Sequence, residues 1–326
     1  MKDICFGVDL GGTTAKIGIF NDNGLLIDKW EISTRTEENG RYILEDIAAS
    51  LNKAVVDKKL DKDRIVGIGL GVPGPVTEDG TVLQCVNLGW GEFNVENAMS
   101  RLTGYPVKAA NDANVAALGE QWQGGGKGCR DLVMVTLGTG VGGGVIIGGK
   151  IISGNNGAAG EIGHMNVLAP EDTIGECGCG NHGCLEQIAS ATGLVRLAGK
   201  MLAECEEPSV LRGLKEVTAK DVLDAAKAED LLSERIVDKM TYYLGKTLAG
   251  VSAVVNPEVI VVGGGVSKAG PYLIHRIQKH FLEYAFHAIR PTRFELAVLG
   301  NDAGMTGAAR LALSQQAGMF RNVPEY

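Results

Sequence analysis

The sequence predicts a duplicated α/β architecture, two lobes with a central cleft. Two observations carry that expectation. The chain runs twice through one cycle of apolar strand, Thr/Gly turn and second apolar strand, at DLGGTTAKIGIF and at TLGTGVGGGVII, and each cycle continues into helices and further strands. Its 47 glycines cluster beside apolar runs, which points to tight turns against ligands rather than linkers.

The elements follow in order. ICFGVDL and AKIGIF read as strands around the GGTT turn, and Asn23-Gly24 turns the chain into a third strand, LLIDKWEIST. Residues 42–60 carry helical apolar spacing, and RIVGIGLGV is a buried strand ended by Pro73-Gly74-Pro75. A short strand after Pro106 leads to NDANVAALGEQW, where an Asn/Asp pair before an alanine-rich run signals a helix start. The second cycle reads DLVMVTL as a strand, GTGVGGG as a turn and VIIGGKIIS as a further hairpin. Residues 185–255 are mostly helical, with polar breaks near 206–208 and Gly213. PEVIVVGGGVS is a strand running into glycines, 268–288 a helix, FELAVL a strand and 302–314 a last helix. A chain of 326 residues has room for two domains. The expected division is a small lobe of 1–118 with 302–326 and a large lobe of 119–301.

Composition narrows the class. With 45% hydrophobic and 21% charged residues the balance is that of a soluble globular protein. A net charge of −8 argues against nonspecific binding to nucleic acid or to an anionic membrane. Met1-Lys2-Asp3 leads straight into a strand, so no signal peptide is expected, and no apolar run is long enough to span a bilayer. The scattered Cys5, Cys85, Cys129 and Cys205 read as reduced thiols of a cytoplasmic protein.

Residues 160–187, GEIGHMNVLAPEDTIGECGCGNHGCLEQ, carry the densest chemistry. Cys177, Cys179 and Cys184 form a C-x-C-x4-C run, and three thiolates with one imidazole make a closed tetrahedral zinc set. Spacing leaves the fourth ligand open between His164 and His182. With four protein ligands the metal is structural. It would fix a loop that places Glu161 and Glu186, natural acceptors for sugar hydroxyls, although glutamates in loops are usually just solvated.

Other motifs have bland alternatives. Asp9 before Gly11-Gly12-Thr13-Thr14 can hold Mg²⁺ while the turn contacts phosphate and Lys16 adds a point charge; a plain hairpin turn explains the same residues. Gly138-Thr139-Gly140-Val141-Gly142-Gly143 matches G-x-G-x-x-G, but a strand follows it where a dinucleotide site needs a helix. Gly263-Gly264-Gly265 can admit a flat adenine or a ribose, or simply allow close packing. Asn111-Asp112 fits a helix cap or a general base facing a cleft.

DLGGTTAK, GVPGPV, NDANVAALGE, TLGTGVGGG, GEIGHM, CGCGNHGCLEQ and VVGGGVS occur in the order found in the ROK family (repressors, open reading frames, kinases). The resemblance covers essentially the whole chain and looks closest to the bacterial glucokinases of that family. It implies an actin-like, ribonuclease H-like ATPase fold with ATP in the interlobe cleft. It implies Asp112 as catalytic base and Asn111, Glu161, His164 and Glu186 as hexose contacts, with Asn87 and the Gly74 backbone nearby. Asp9, Gly11, Gly12, Thr13 and Thr14 would form one phosphate turn, Gly138, Thr139 and Gly140 the other, and Gly263, Gly264 and Gly265 would lie by the adenosine. His164, Cys177, Cys179 and Cys184 would ligate Zn²⁺, one ring nitrogen of the histidine facing the metal and the other the sugar. The activity implied is transfer from Mg²⁺-bound ATP to the 6-hydroxyl of glucose, by a homodimer or homotetramer. A kinase of another hexose, such as N-acetylmannosamine or fructose, would share this framework. A noncatalytic ROK sugar sensor would lack the Asp112 equivalent or the phosphate turns, and a ROK repressor would carry an N-terminal helix-turn-helix, which is not expected ahead of a strand this close to Met1.

Overall fold

The computed structural model of the protein describes residues 2–319. Strands β1 (Ile4–Leu10) and β2 (Thr14–Asn21) pair antiparallel, with Asp9 opposite Lys16. The Asn21 carboxamide oxygen accepts from the backbone N–H groups of Asn23 and Leu25, and the turn leads into β3 (Leu26–Ser33). A single turn, α1 (Glu37–Gly40), precedes α2 (Ile43–Asp57), whose Ile43, Ile47, Leu51 and Val55 recur every fourth residue and are buried. Next come the fully buried β4 (Ile65–Val72) and a small ribbon, β5 (Thr81–Val82) with β6 (Phe93–Asn94). The Asn94 side chain caps α3 (Val95–Thr103) by accepting from Asn97 N–H, and left-handed Gly104 stops it. Strand β7 (Val107–Asn111) passes without a loop into α4 (Asp112–Gln123). The sheet order is β3-β2-β1-β4-β7, with β1, β4 and β7 parallel.

The second cycle repeats this plan. Strands β8 (Leu132–Leu137), β9 (Val141–Ile147) and β10 (Lys150–Ile151) form the meander. Helices α5 (Glu186–Ala189), α6 (Ala191–Glu204), α7 (Ala219–Lys227) and α8 (Leu231–Val255) follow. Then come β11 (Val259–Gly263), α9 (Pro271–Tyr284), β12 (Arg293–Leu296) and α10 (Ala303–Met319). The order is β10-β9-β8-β11-β12, with β8, β11 and β12 parallel. The two sheets therefore have the same connectivity, as the duplicated strand–turn–strand pattern predicts.

Three readings of the sequence need correction. The VGGG of GTGVGGG belongs to β9 rather than to a turn, because strand pairing tolerates glycine where close packing requires it. The β5–β6 ribbon and α3 have no counterpart among the predicted elements. Residues 266–269 form a 3₁₀ turn, so the helix expected from 268 begins at Pro271, a residue suited to a first helical position, and ends at Tyr284.

Many glycines serve packing rather than ligand turns. A Cβ on Gly69 of β4 would lie 1.6 Å from the Ala308 carbonyl, and one on Gly307 of α10 would lie 1.6 Å from the Val115 carbonyl of α4. Helix α10 thus lies backbone-close on the sheet and on α4. Gly307→Ala is expected to destabilise the protein by about 2–4 kcal/mol, since these helices must separate. Urea denaturation checks this, and an unchanged midpoint would contradict it.

By proximity of its residues the chain divides into two compact units. One comprises Met1–Gly128, Gly144–Gly160 and Asn301–Tyr326, the other Cys129–Gly143 and Glu161–Gly300. No helix among the described residues is long and apolar enough to cross a membrane.

Candidate functional site

In each unit the candidate residues gather at the carboxyl ends of the parallel strands, where open α/β sheets present their loops to ligands. In the first unit, β1 ends at Asp9 and Leu10, and the following turn is closed by Gly11 N–H donating to Thr14 C=O at 2.9 Å. Gly12 and Thr13 are exposed at its tip. The Thr34 hydroxyl donates to Gly11 C=O and Thr34 N–H to Thr13 C=O, so β3 braces the turn from behind. Exposed Asn87 sits beside it: a Cβ on Gly12 would lie 3.9 Å from the Asn87 carbonyl.

Asn111 ends β7 and caps α4. Its side-chain oxygen accepts from Ala113 and Asn114 N–H, and its amide donates to the Gly74 carbonyl at 3.1 Å. Two lone pairs and one amide proton are thereby used, which leaves a second amide proton for a ligand. The cap and the ligand contact are compatible roles for this residue. Asp112 follows in the first turn of α4, and its Oδ1 accepts from Ala113 N–H at 2.8 Å.

Asp9 is electrostatically strained. Burial pushes its carboxyl up to about 6, Lys16 opposes the shift, and the Asp112 charge adds to it. A folded value above the ordinary 3.8 means that the folded chain holds this proton more tightly than the unfolded chain. Stability linked to Asp9 is therefore full below pH 4 and falls as pH rises through about 6. Asp9→Asn is expected to raise unfolding stability at pH 8 by about 1–3 kcal/mol, with no gain at pH 4. Equal effects at the two pH values in denaturation curves would contradict this.

The second unit holds the other candidates. Gly138 N–H donates to Gly140 C=O at 3.0 Å, closing the β8–β9 turn, with Thr139 exposed. Gly263 ends β11 and pairs with Thr136, and left-handed Gly264 packs against the Leu137 backbone, where a Cβ would clash at 2.5 Å. The Gly138–Gly140 turn and the Gly263–Gly265 turn are thus neighbours.

His164, Cys177, Cys179 and Cys184 place one ligand atom each within 4.8 Å of one another. The His164 Nδ1–Cys177 Sγ and Cys179 Sγ–Cys184 Sγ distances are both 3.7 Å. Bonds of about 2.0–2.3 Å in a tetrahedron require ligand separations of roughly 3.5–3.8 Å, so the donor set fits zinc in both chemistry and size. Burial and the neighbouring thiols push Cys184 up to about 12, while the Asn181 backbone N–H draws Cys179 down to about 7. Exposed His182 lies outside the group, so the two histidines left open by spacing are told apart.

The acids flanking the loop are ordered differently. The His164 ring turns Nε2 toward Glu161 Oε2 at 3.9 Å, away from the thiols, and Glu161 is exposed. Half-buried Glu186 begins α5 and accepts from Val141 N–H at 2.9 Å. Its other oxygen lies 3.9 Å from Cys177 Sγ. It therefore ties the thiol cluster to the glycine turn. The sequence reading missed Gln187, which is 2% exposed. Its amide donates to Ile174 C=O at 3.0 Å and Gly175 C=O at 2.7 Å, while its oxygen accepts from Gly183 N–H at 2.9 Å, so it holds both arms of the cysteine loop. The available signal was a glutamine leading into the apolar run Ile188-Ala189.

Comparison with known proteins agrees with this arrangement. The chain is 43% identical over 318 residues to the glucokinase of Halalkalibacterium halodurans, covering 96% of each. It is 34% identical over 311 residues to the glucokinase of Thermotoga maritima, covering 94% of this chain and 96% of that one. Its structure resembles that of a ROK family glucokinase from Streptomyces griseus in complex with glucose and AMPPNP, with a TM-score of 0.73 and 34% identity over 95% of this chain and 99% of that one. The two five-stranded sheets are those of the actin-like ATPase fold. With the ROK family model matching residues 5–315, the chain belongs to the ROK family.

Proposed function

We propose that the protein is a ROK glucokinase that transfers the γ-phosphoryl group of ATP to the 6-hydroxyl of glucose. The observation that carries this reading is Asp112. It is a carboxylate fixed in the first turn of α4 beside a capping asparagine, in a chain 43% identical to a glucokinase across 96% of both proteins. Asp112 takes the hydroxyl proton as the sugar oxygen attacks phosphorus. Asn111 donates its remaining amide proton to a sugar hydroxyl, with Asn87 and the Gly74 backbone alongside. Such transfers pass through a loose transition state, so positioning counts for more than base strength.

In the second unit, Glu161 and Glu186 accept from further hexose hydroxyls, and the His164 Nε2–H donates to one. Bound at the three thiols and His164 Nδ1, Zn²⁺ supplies rigidity rather than Lewis acidity, because all four of its positions are taken by protein. Asp9, Gly11, Gly12, Thr13, Thr14 and Lys16 contact the Mg²⁺-bound phosphates, as do Gly138, Thr139 and Gly140; Gly263, Gly264 and Gly265 take the adenosine. Backbone N–H groups of such turns form anion-binding nests, which a chain of net charge −8 needs for a polyanionic substrate.

An ATP-dependent phosphorylation screen of glucose, mannose, fructose, N-acetylglucosamine and N-acetylmannosamine tests the assignment. Glucose is expected to give the highest kcat/KM and glucose 6-phosphate as product. A higher value for fructose or N-acetylmannosamine would reassign the substrate, and no transfer to any of the five would remove the kinase reading.

A further inference from the structure

A cavity of 590 Å³ in the first unit takes no part in the site described above. It is lined on one side by β7 and α4 and on another by α10 and the β9–β10 turn. Lys108, Lys150 and Arg310 reach its wall, against one lining acid, Glu78. Lys108 is paired with Glu96 at 3.0 Å. Among the described residues, Lys150 and Arg310 have no carboxylate partner; Arg310 instead stacks over the Trp122 ring, 5.5 Å from its centroid. Thr77 and Ser153 also line the cavity, the Thr77 hydroxyl donating to Asp79, and Ala110 and Leu118 give it an apolar floor.

A cavity of 620 Å³ in the second unit shows the contrast. Its cations are neutralised in place: Arg235 by Glu207, Lys239 by Asp172 and Arg276 by Glu234. Among the described residues, the cavity of the first unit by contrast keeps the Lys150 ammonium and the Arg310 guanidinium without a carboxylate, in a chain of net charge −8. Such cations match a phosphate group, and the apolar floor matches a short carbon body.

We infer that this cavity binds a small phosphate monoester. Its wall residues Lys108, Ala109 and Ala110 run directly into Asn111 and Asp112 along β7. Arg310 shares α10 with Gly304, where a Cβ would lie 2.4 Å from the Asp9 carboxyl carbon. An occupant would thus rest on the two elements that hold the candidate base and the buried carboxylate. Binding itself does not depend on the kinase reading; an effect on turnover does.

Calorimetric titration of the full chain, in the Asp112→Asn background with glucose and a nonhydrolysable ATP analogue at saturation, isolates this cavity. The probes are glycerol 3-phosphate, inorganic phosphate and, as the uncharged control, glycerol. Saturable binding of glycerol 3-phosphate is expected, with none of glycerol. Stronger binding of glycerol 3-phosphate than of inorganic phosphate would identify the ester, and equal binding would reduce the site to an anion site and overturn the ester. Lys150→Ala, at an exposed position, should weaken binding about tenfold, and Arg310→Gln at least as much. Absence of saturable binding at millimolar probe, or unchanged binding in both variants, overturns the proposal. Lys150→Ala keeps the test valid if Arg310→Gln fails to fold.

Discussion

Asp112→Asn is expected to lower kcat by about 10²-fold or more while the KM for glucose changes only a few-fold. Asparagine keeps an oxygen that can accept from Ala113 N–H, so the start of α4 is preserved. What is lost is the ability to take the hydroxyl proton, which matters only as the transition state forms. Steady-state kinetics of the purified variant, with circular dichroism to confirm its fold, decide the matter. A kcat near that of the parent protein would remove Asp112 from the role of base.

Cys177→Ser should abolish stoichiometric zinc and raise the glucose KM at least about tenfold in the same preparation. The coupling follows from the geometry. Cys177 Sγ is 3.7 Å from His164 Nδ1 and 3.9 Å from a Glu186 oxygen, so one sulfur touches both a ring and an acid assigned to the sugar. Elemental analysis and glucose titration are the paired measurements. Zinc-free protein that binds glucose as well as the parent would break the link between metal and pocket.

How far the sequence revealed all this depends on the range of each interaction. The duplicated sheets were legible because strand and turn signals are local: DLGGTTAKIGIF and TLGTGVGGGVII each contain a complete hairpin. The metal ligands were legible because Cys177, Cys179 and Cys184 lie within eight positions of one another, while His164 against His182 could not be decided by spacing, since the folding of the loop decides it. The β5–β6 ribbon escaped because two-residue strands leave no period to read. Gly69 and Gly307 fall inside the expected strand RIVGIGLGV and the expected last helix, but the close packing that requires them was not legible, because their partners, Ala308 and Val115, belong to elements far away in the chain. Gln187 was passed over because its three hydrogen bonds reach backbone at 174, 175 and 183, which no side-chain pattern announces.

The return of α10 to the first sheet has a consequence for biosynthesis. Helix α10 packs on β1, β4 and α4, yet the ribosome makes it only after every residue of the second unit. The amino-terminal sheet must then emerge with one face uncovered, and Gly7 and Gly69 expose their backbone to solvent or to a chaperone until Met305, Ala308 and Ala309 have left the ribosome. Vectorial folding is thereby inverted: the half that leaves the exit tunnel first is the half that matures last.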